Sequence, residues 1–149
     1  MDCFRRMDRE SIVKKLRTGG IGVTGPRIAI LDYLMEHHTH PSVDTIFGDV
    51  RKSFPNLSRT TVYNTVKILS EKGLAQMITI DGEHVSIDGD MSPHAHLLCR
   101  RCGRIVDIPL LGVSGEDAGG TFMVGGNRVE EIHHYYKGIC QECLTRQNK

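Results

Sequence analysis

Apolar residues recur at helical spacing through the first half of the chain, and that regularity is lost in the second half. In Arg9–Arg17, Ile12, Val13 and Leu16 share one face of a short amphipathic helix, and a turn over Thr18–Gly22 follows. Thr24 is a candidate N-cap for a second helix, with Pro26 in its first turn, where a missing N–H costs nothing. That helix runs over Arg27–His38 with Ile28, Ile30, Leu31 and Leu34 apolar. Ser42, after Pro41, caps a third helix predicted over Val43–Phe54. Ser58 caps a fourth over Arg59–Leu74, in which Val62, Val66 and Leu69 form the buried stripe and Gly73 is the stop signal. Two β-like runs, Ala75–Ile80 and His84–Ile87, flank the hairpin signal Asp81-Gly82. Helix, turn, helix and hairpin is the outline of a winged helix-turn-helix.

The pattern changes at 89–93. Beyond it, His96–Cys99, Arg104–Pro109 and Arg128–Tyr136 read as strands, Leu110–Gly126 is glycine-rich and weakly patterned, and a polar tail follows Cys143. The predicted fold class is α+β, with a winged helix-turn-helix domain over 1–88 and a small α/β domain over 89–149.

Composition narrows the class without deciding it. Hydrophobic content of 39% and charged content of 25% in 149 residues are those of a soluble globular protein. No apolar run approaches the ~20 residues needed to cross a bilayer. The N-terminus is polar and of mixed charge, so no signal peptide is expected and the predicted location is cytoplasmic. Charge is unevenly spread. Residues 1–75 hold 12 Lys or Arg against 8 Asp or Glu, and 76–149 hold 7 against 10, giving +4 and −3. A basic front half suits a chain that meets an anionic polymer, although chance asymmetry gives the same numbers.

The cysteines carry more. Cys99/Cys102 and Cys140/Cys143 are two Cys-x-x-Cys pairs, and Gly103 supplies the tight knuckle such pairs need. Two thiolate pairs complete a closed tetrahedral shell for structural zinc. One pair alone would equally be a redox dithiol; two in a small reducing-compartment chain favour metal.

On the fourth helix, Arg59, Thr60, Tyr63, Asn64 and Lys67 are the exposed positions able to meet phosphates or base edges in a major groove. Lys14, Lys15, Arg17 and Arg27 are candidates for the flanking backbone. The bland alternative is a solvated helix or a protein-contact module. In His94-Ala-His96 the alternation of a strand points both imidazoles to one side, where they can grip one ion. Asp88 and Asp107 add hard oxygen donors, and imidazole with carboxylate suits divalent iron or manganese. Taken singly, His40, Asp88 and Asp107 read equally well as turn or surface residues.

Taken together, VTGPRIAIL, HPSVDTIF, FPNLSRTTVYNTVKILSEKGL, HAHLLCRRCGRIVDI and YYKGICQEC resemble the ferric uptake regulator superfamily over nearly the whole chain. The resemblance implies a homodimeric repressor of double-stranded operator DNA, not an enzyme. It implies structural zinc on Cys99, Cys102, Cys140 and Cys143, and regulatory Fe(II) or Mn(II) on His40, Asp88, His94, His96 and Asp107. It also brings Tyr63 to DNA. Iron-uptake members usually carry glutamate where this chain has Asp107, and peroxide-sensing members carry aspartate. A zinc-uptake member would normally put a cysteine in the regulatory site, and none is available here. The implied function is therefore hydrogen peroxide sensing by Fe(II)-catalysed oxidation of His40 or His94, with an iron- or manganese-responsive uptake regulator as the alternative. Gly112–Gly126 departs from the family, replacing a helix with residues of poor helical propensity. A metallohydrolase and a thiol redox switch are the competing classes. The first lacks a nucleophile or base beyond the ligands themselves; the second predicts disulfides and zinc loss on oxidation.

Overall fold

The structure, a computed structural model, describes residues 8–110 and 121–147. It divides into two compact units between Met91 and Ser92.

The first unit opens with four helices, α1 (Arg9–Thr18), α2 (Gly25–Glu36), α3 (Val43–Val50) and α4 (Arg59–Glu71). Asp8, Thr24, Ser42 and Ser58 precede them in extended backbone, and each side chain accepts an N–H three residues on. Each such cap is worth about 1 kcal/mol, because it satisfies a donor the first turn otherwise leaves open. Ile12, Leu16, Ile30, Leu31, Leu34, Ile46, Val62, Val66 and Leu69 are wholly buried in one core. Each contributes roughly 1.5–3 kcal/mol of hydrophobic stabilisation. The hairpin of β1 (Gln76–Ile78) and β2 (Ser86–Asp88) is antiparallel, with Gln76 opposite Asp88 and Gly82 at φ +78° in its loop. With α3 and α4 before it, this completes a winged helix.

Several boundaries differ from the expectation. The second helix stops at Glu36, because His37 leaves helical backbone at ψ 99°. The third stops at Val50 and continues to Phe54 only as turns. The strands of the wing are shorter than the runs Ala75–Ile80 and His84–Ile87 that announce them.

In the second unit, β3 (Ala95–Cys99) is the centre of a three-stranded sheet. It pairs antiparallel with β4 (Ile105–Ile108) and parallel with β7 (Tyr135–Gly138). A separate hairpin joins β5 (Phe122–Val124) to β6 (Asn127–Val129). The single strand expected over Arg128–Tyr136 is thus two: β6 is turned back on β5 by Gly125 and Gly126, both at positive φ, and the chain leaves regular pairing before β7. The expected polar tail is α5 (Gln141–Gln147), whose Leu144 N–H is bonded to the Cys140 carbonyl. Of the glycine-rich stretch, 111–120 lies outside the described residues, and Phe122–Val124 is strand rather than helix. The buried core of this unit is Cys99, Cys140 and Cys143 with half-buried Leu97, Val106 and Ile139. That is a thin core, and it consists largely of thiols.

Candidate functional site

The two cysteine pairs converge. Their four sulfurs lie within 4.8 Å of one another, with Cys102 Sγ 3.8 Å from Cys140 Sγ. The first pair sits on a knuckle after β3, closed by the Gly103 N–H bonded to the Cys99 carbonyl, with Gly103 at φ +74°. The second spans the start of α5. Across the join, the Cys140 N–H donates to Cys99 Sγ, and Arg101 Nη1 donates to the Cys143 carbonyl. The N–H groups of Cys102 and then Cys140, aimed at its sulfur, hold the Cys99 thiol down at about 6. Burial, then the neighbouring thiols, push Cys143 up to about 12. Four soft donors so gathered fit zinc, which would displace their protons and leave no position open for substrate.

Imidazoles and carboxylates gather in two sets, one in each unit. In the first, Asp88 at the end of β2 is almost wholly buried, 3.5 Å from His40 Nε2, and Asp88 Oδ1 accepts the Asp90 N–H. The segment after His40 is held to β2 by the Ile87 N–H bonded to the Pro41 carbonyl and by a bridge between Ser42 and Ser86. His40 itself sits at φ +54°, a left-handed conformation that costs a non-glycine residue about 1–2 kcal/mol. Gly89, next to Asp88, runs against α2 so closely that a Cβ there would stand 2.5 Å from the Leu34 carbonyl oxygen. Only glycine allows that approach.

In the second unit, His94 Nε2 and His96 Nε2 face each other at 3.0 Å, and each lies 3.4 Å from Asp107 Oδ1. The register explains the meeting, since His96 on β3 is directly opposite Asp107 on β4. His94 Nδ1 is 2.6 Å from the Ser92 carbonyl, which can only accept, so Nδ1 carries the proton and Nε2 keeps its lone pair for a metal. Two imidazole nitrogens turned toward one carboxylate oxygen form a donor set that fits a divalent cation of intermediate hardness.

On α4, Arg59, Thr60, Tyr63, Asn64 and Lys67 are all exposed, Tyr63 by 47%. Arg59 is held by Asp44 at 2.7 Å and lies over the Phe47 ring at 4.9 Å, so to meet a phosphate it must exchange one anion for another. Lys14 and Arg17 are exposed on α1 and Lys15 is half-buried, while Arg27 Nη1 donates to the Gly22 carbonyl. A network that sequence reasoning missed lies in Glu131, His133 and Tyr135. His133 Nε2 is 3.1 Å from Glu131 Oε2, and His133 Nδ1 is 3.2 Å from the Tyr135 hydroxyl. Its only sequence signal is alternation at positions 131, 133 and 135.

Residues 18–117 match the ferric uptake regulator family. The chain belongs to that family. Members of the ferric uptake regulator family are transcriptional regulators, and this chain is accordingly a regulator and not an enzyme. The peroxide operon regulator of Bacillus subtilis is 33% identical over 138 residues, 91% of this chain and 93% of the relative. The solved structure of PerR from Streptococcus pyogenes, described for peroxide sensing and gene regulation, is 29% identical with a TM-score of 0.51, covering 96% of this chain and 98% of its own. The Helicobacter pylori ferric uptake regulator, described with three functional metal-binding sites, superposes at a TM-score of 0.69 over 97% of each chain. At 17% identity that likeness is one of fold. Among the described residues, no helix is long and apolar enough to cross a membrane.

Proposed function

We propose that this member of the ferric uptake regulator family is a metal-dependent, peroxide-responsive transcriptional repressor that binds operator DNA as a homodimer in the cytoplasm. The observation that carries the reading is the convergence of His94 and His96 Nε2 on an aspartate, Asp107, in a chain 33% identical to a peroxide operon regulator. Zinc on Cys99, Cys102, Cys140 and Cys143 is structural. Fe(II) or Mn(II) on His40, Asp88, His94, His96 and Asp107 is regulatory. Metal binding favours the state in which the α4 residues Arg59, Thr60, Tyr63, Asn64 and Lys67 engage DNA, so metal raises the competent population. Lys14, Lys15, Arg17 and Arg27 add phosphate contacts.

With iron bound, the redox chemistry it supplies toward hydrogen peroxide oxygenates His40 or His94. An oxidised imidazole is a poorer ligand, the metal leaves and repression ends. Asp107 in place of glutamate supports this branch over metal-uptake regulation. The test uses zinc-replete protein and a duplex selected from a random pool in the presence of Mn(II). Binding that rises with Mn(II) and is lost in His94→Ala and Tyr63→Ala, both still dimeric, is the expected result. Equal binding with and without a divalent ion would contradict it.

A further inference from the structure

Across the sheet of the second unit, three side chains form one rung. Asp107 on β4 is opposite His96 on β3, and His96 is opposite Tyr135 on β7. Residues directly opposite in adjacent strands share a face, so the Tyr135 ring stands on the side that carries the imidazole–carboxylate set. The His96 and Tyr135 ring centroids are 6.4 Å apart at 59°, within the range of direct ring contact. Two residues back along the chain, before β7 begins, His133 meets the Tyr135 hydroxyl.

The hydrogen bonds assign the protons. Ionised Glu131 can only accept, so His133 Nε2 carries the hydrogen that meets Oε2. His133 Nδ1 is then the lone pair, and the Tyr135 O–H donates to it. A phenol whose proton already points at a basic nitrogen, with its ring against a metal-ligating imidazole, has the two parts that concerted loss of an electron and a proton requires.

Building on the peroxide-sensing reading, we infer that Tyr135, with His133 as its proton acceptor, is a redox-active residue that competes with the ligating histidines for oxidising equivalents. In the balanced step, iron held at the regulatory site would supply one electron to hydrogen peroxide and Tyr135 would supply the second. The O–O bond would break to leave two hydroxides, the phenolic proton would move to His133 Nδ1, and a tyrosyl radical and the one-electron-oxidised metal would remain. Peroxide consumed in this way oxygenates no imidazole. Tyr135 thereby diverts part of the reaction with peroxide away from oxygenation of the ligands.

The experiment treats full-length protein, with zinc on the cysteines and Fe(II) at the regulatory site, with one equivalent of peroxide under anaerobic conditions. Rapid freeze-quench electron paramagnetic resonance and peptide mass spectrometry are read from the same samples. The expected result is a tyrosyl signal in the wild type that is absent in Tyr135→Phe, with histidine oxygenation several-fold higher in that variant. His133→Phe should lower the radical yield several-fold while leaving zinc content and dimerisation intact. A photogenerated one-electron oxidant applied to iron-free protein tests the relay separately: Tyr135 oxidation should slow in His133→Phe and in deuterated water. Equal histidine oxygenation in wild type and Tyr135→Phe, with no radical in either, would overturn the relay and leave peroxide sensing standing. Absence of both radical and histidine oxygenation would overturn both readings.

Discussion

The cysteine cage draws on two short segments, 99–102 and 140–143, whereas the imidazoles and carboxylates proposed as regulatory ligands come from four: the turn after α2, the end of β2, the start of β3 and the middle of β4. Among the described residues, three of the four cage cysteines make up the buried apolar cluster of the second unit, while His40 and Asp88 lie outside the apolar core of the first. The consequence is a division of labour. A metal on four thiolates inside one small unit is lost only when that unit unfolds. A metal whose proposed ligands lie outside either apolar core can be lost without uncovering one. The first arrangement suits a structural ion and the second a signal.

The sharpest way to break this comparison is to remove one sulfur. Cys140→Ser should abolish folding of the second unit, since structural zinc supplies on the order of 10 kcal/mol or more to domains of this size. Circular dichroism and zinc content check this, and a folded, zinc-free variant would erase the distinction. Next, His96→Ala should retain zinc and fold but lose metal-activated DNA binding by roughly ten- to a hundredfold. Binding curves with and without Mn(II) are the readout.

Acid should separate the two sites by a smaller margin. Zinc-bound thiolates hold fewer protons than the free cage, so lowering pH favours release. Zinc release followed with a chromogenic chelator should therefore increase from neutral pH downward, together with loss of β signal from the second unit. The smallest effect concerns His40. His40→Gly should relieve about 1 kcal/mol of left-handed strain but remove the imidazole beside the buried Asp88 carboxylate, so the melting temperature of the first unit should change little while its response to Mn(II) is abolished. A loss of stability instead would mean that His40 serves the fold rather than the metal.

How much was legible in the sequence follows the same divide. Caps and stripes are local, so Ser58 with Val62, Val66 and Leu69 located α4 to within a few residues. Two Cys-x-x-Cys pairs announce their partners by chemistry. Register across strands is not local, and only the pairing of β3 with β4 and β7 brings Asp107, His96 and Tyr135 into one rung. The positive φ of His40 was hidden because its cause lies in the bonds that hold the following segment to β2, at Pro41 and Ser42. Likewise, Asp88 reads as a turn former in the sequence, and the close approach of the following Gly89 to Leu34 shows only in the fold. The break before β7 was missed because Glu130–His134, which separate β6 from β7, contain no glycine or proline to mark the interruption.

The most direct test of the central claim is anaerobic binding of the selected duplex by zinc-replete protein loaded with Fe(II) or with Mn(II), before and after one equivalent of hydrogen peroxide. The account predicts that peroxide releases DNA only from the Fe(II) form, with one oxygen added to the peptide containing His40 or His94. Release from both forms alike, or disulfides among the cysteines in place of an oxidised histidine, would contradict it.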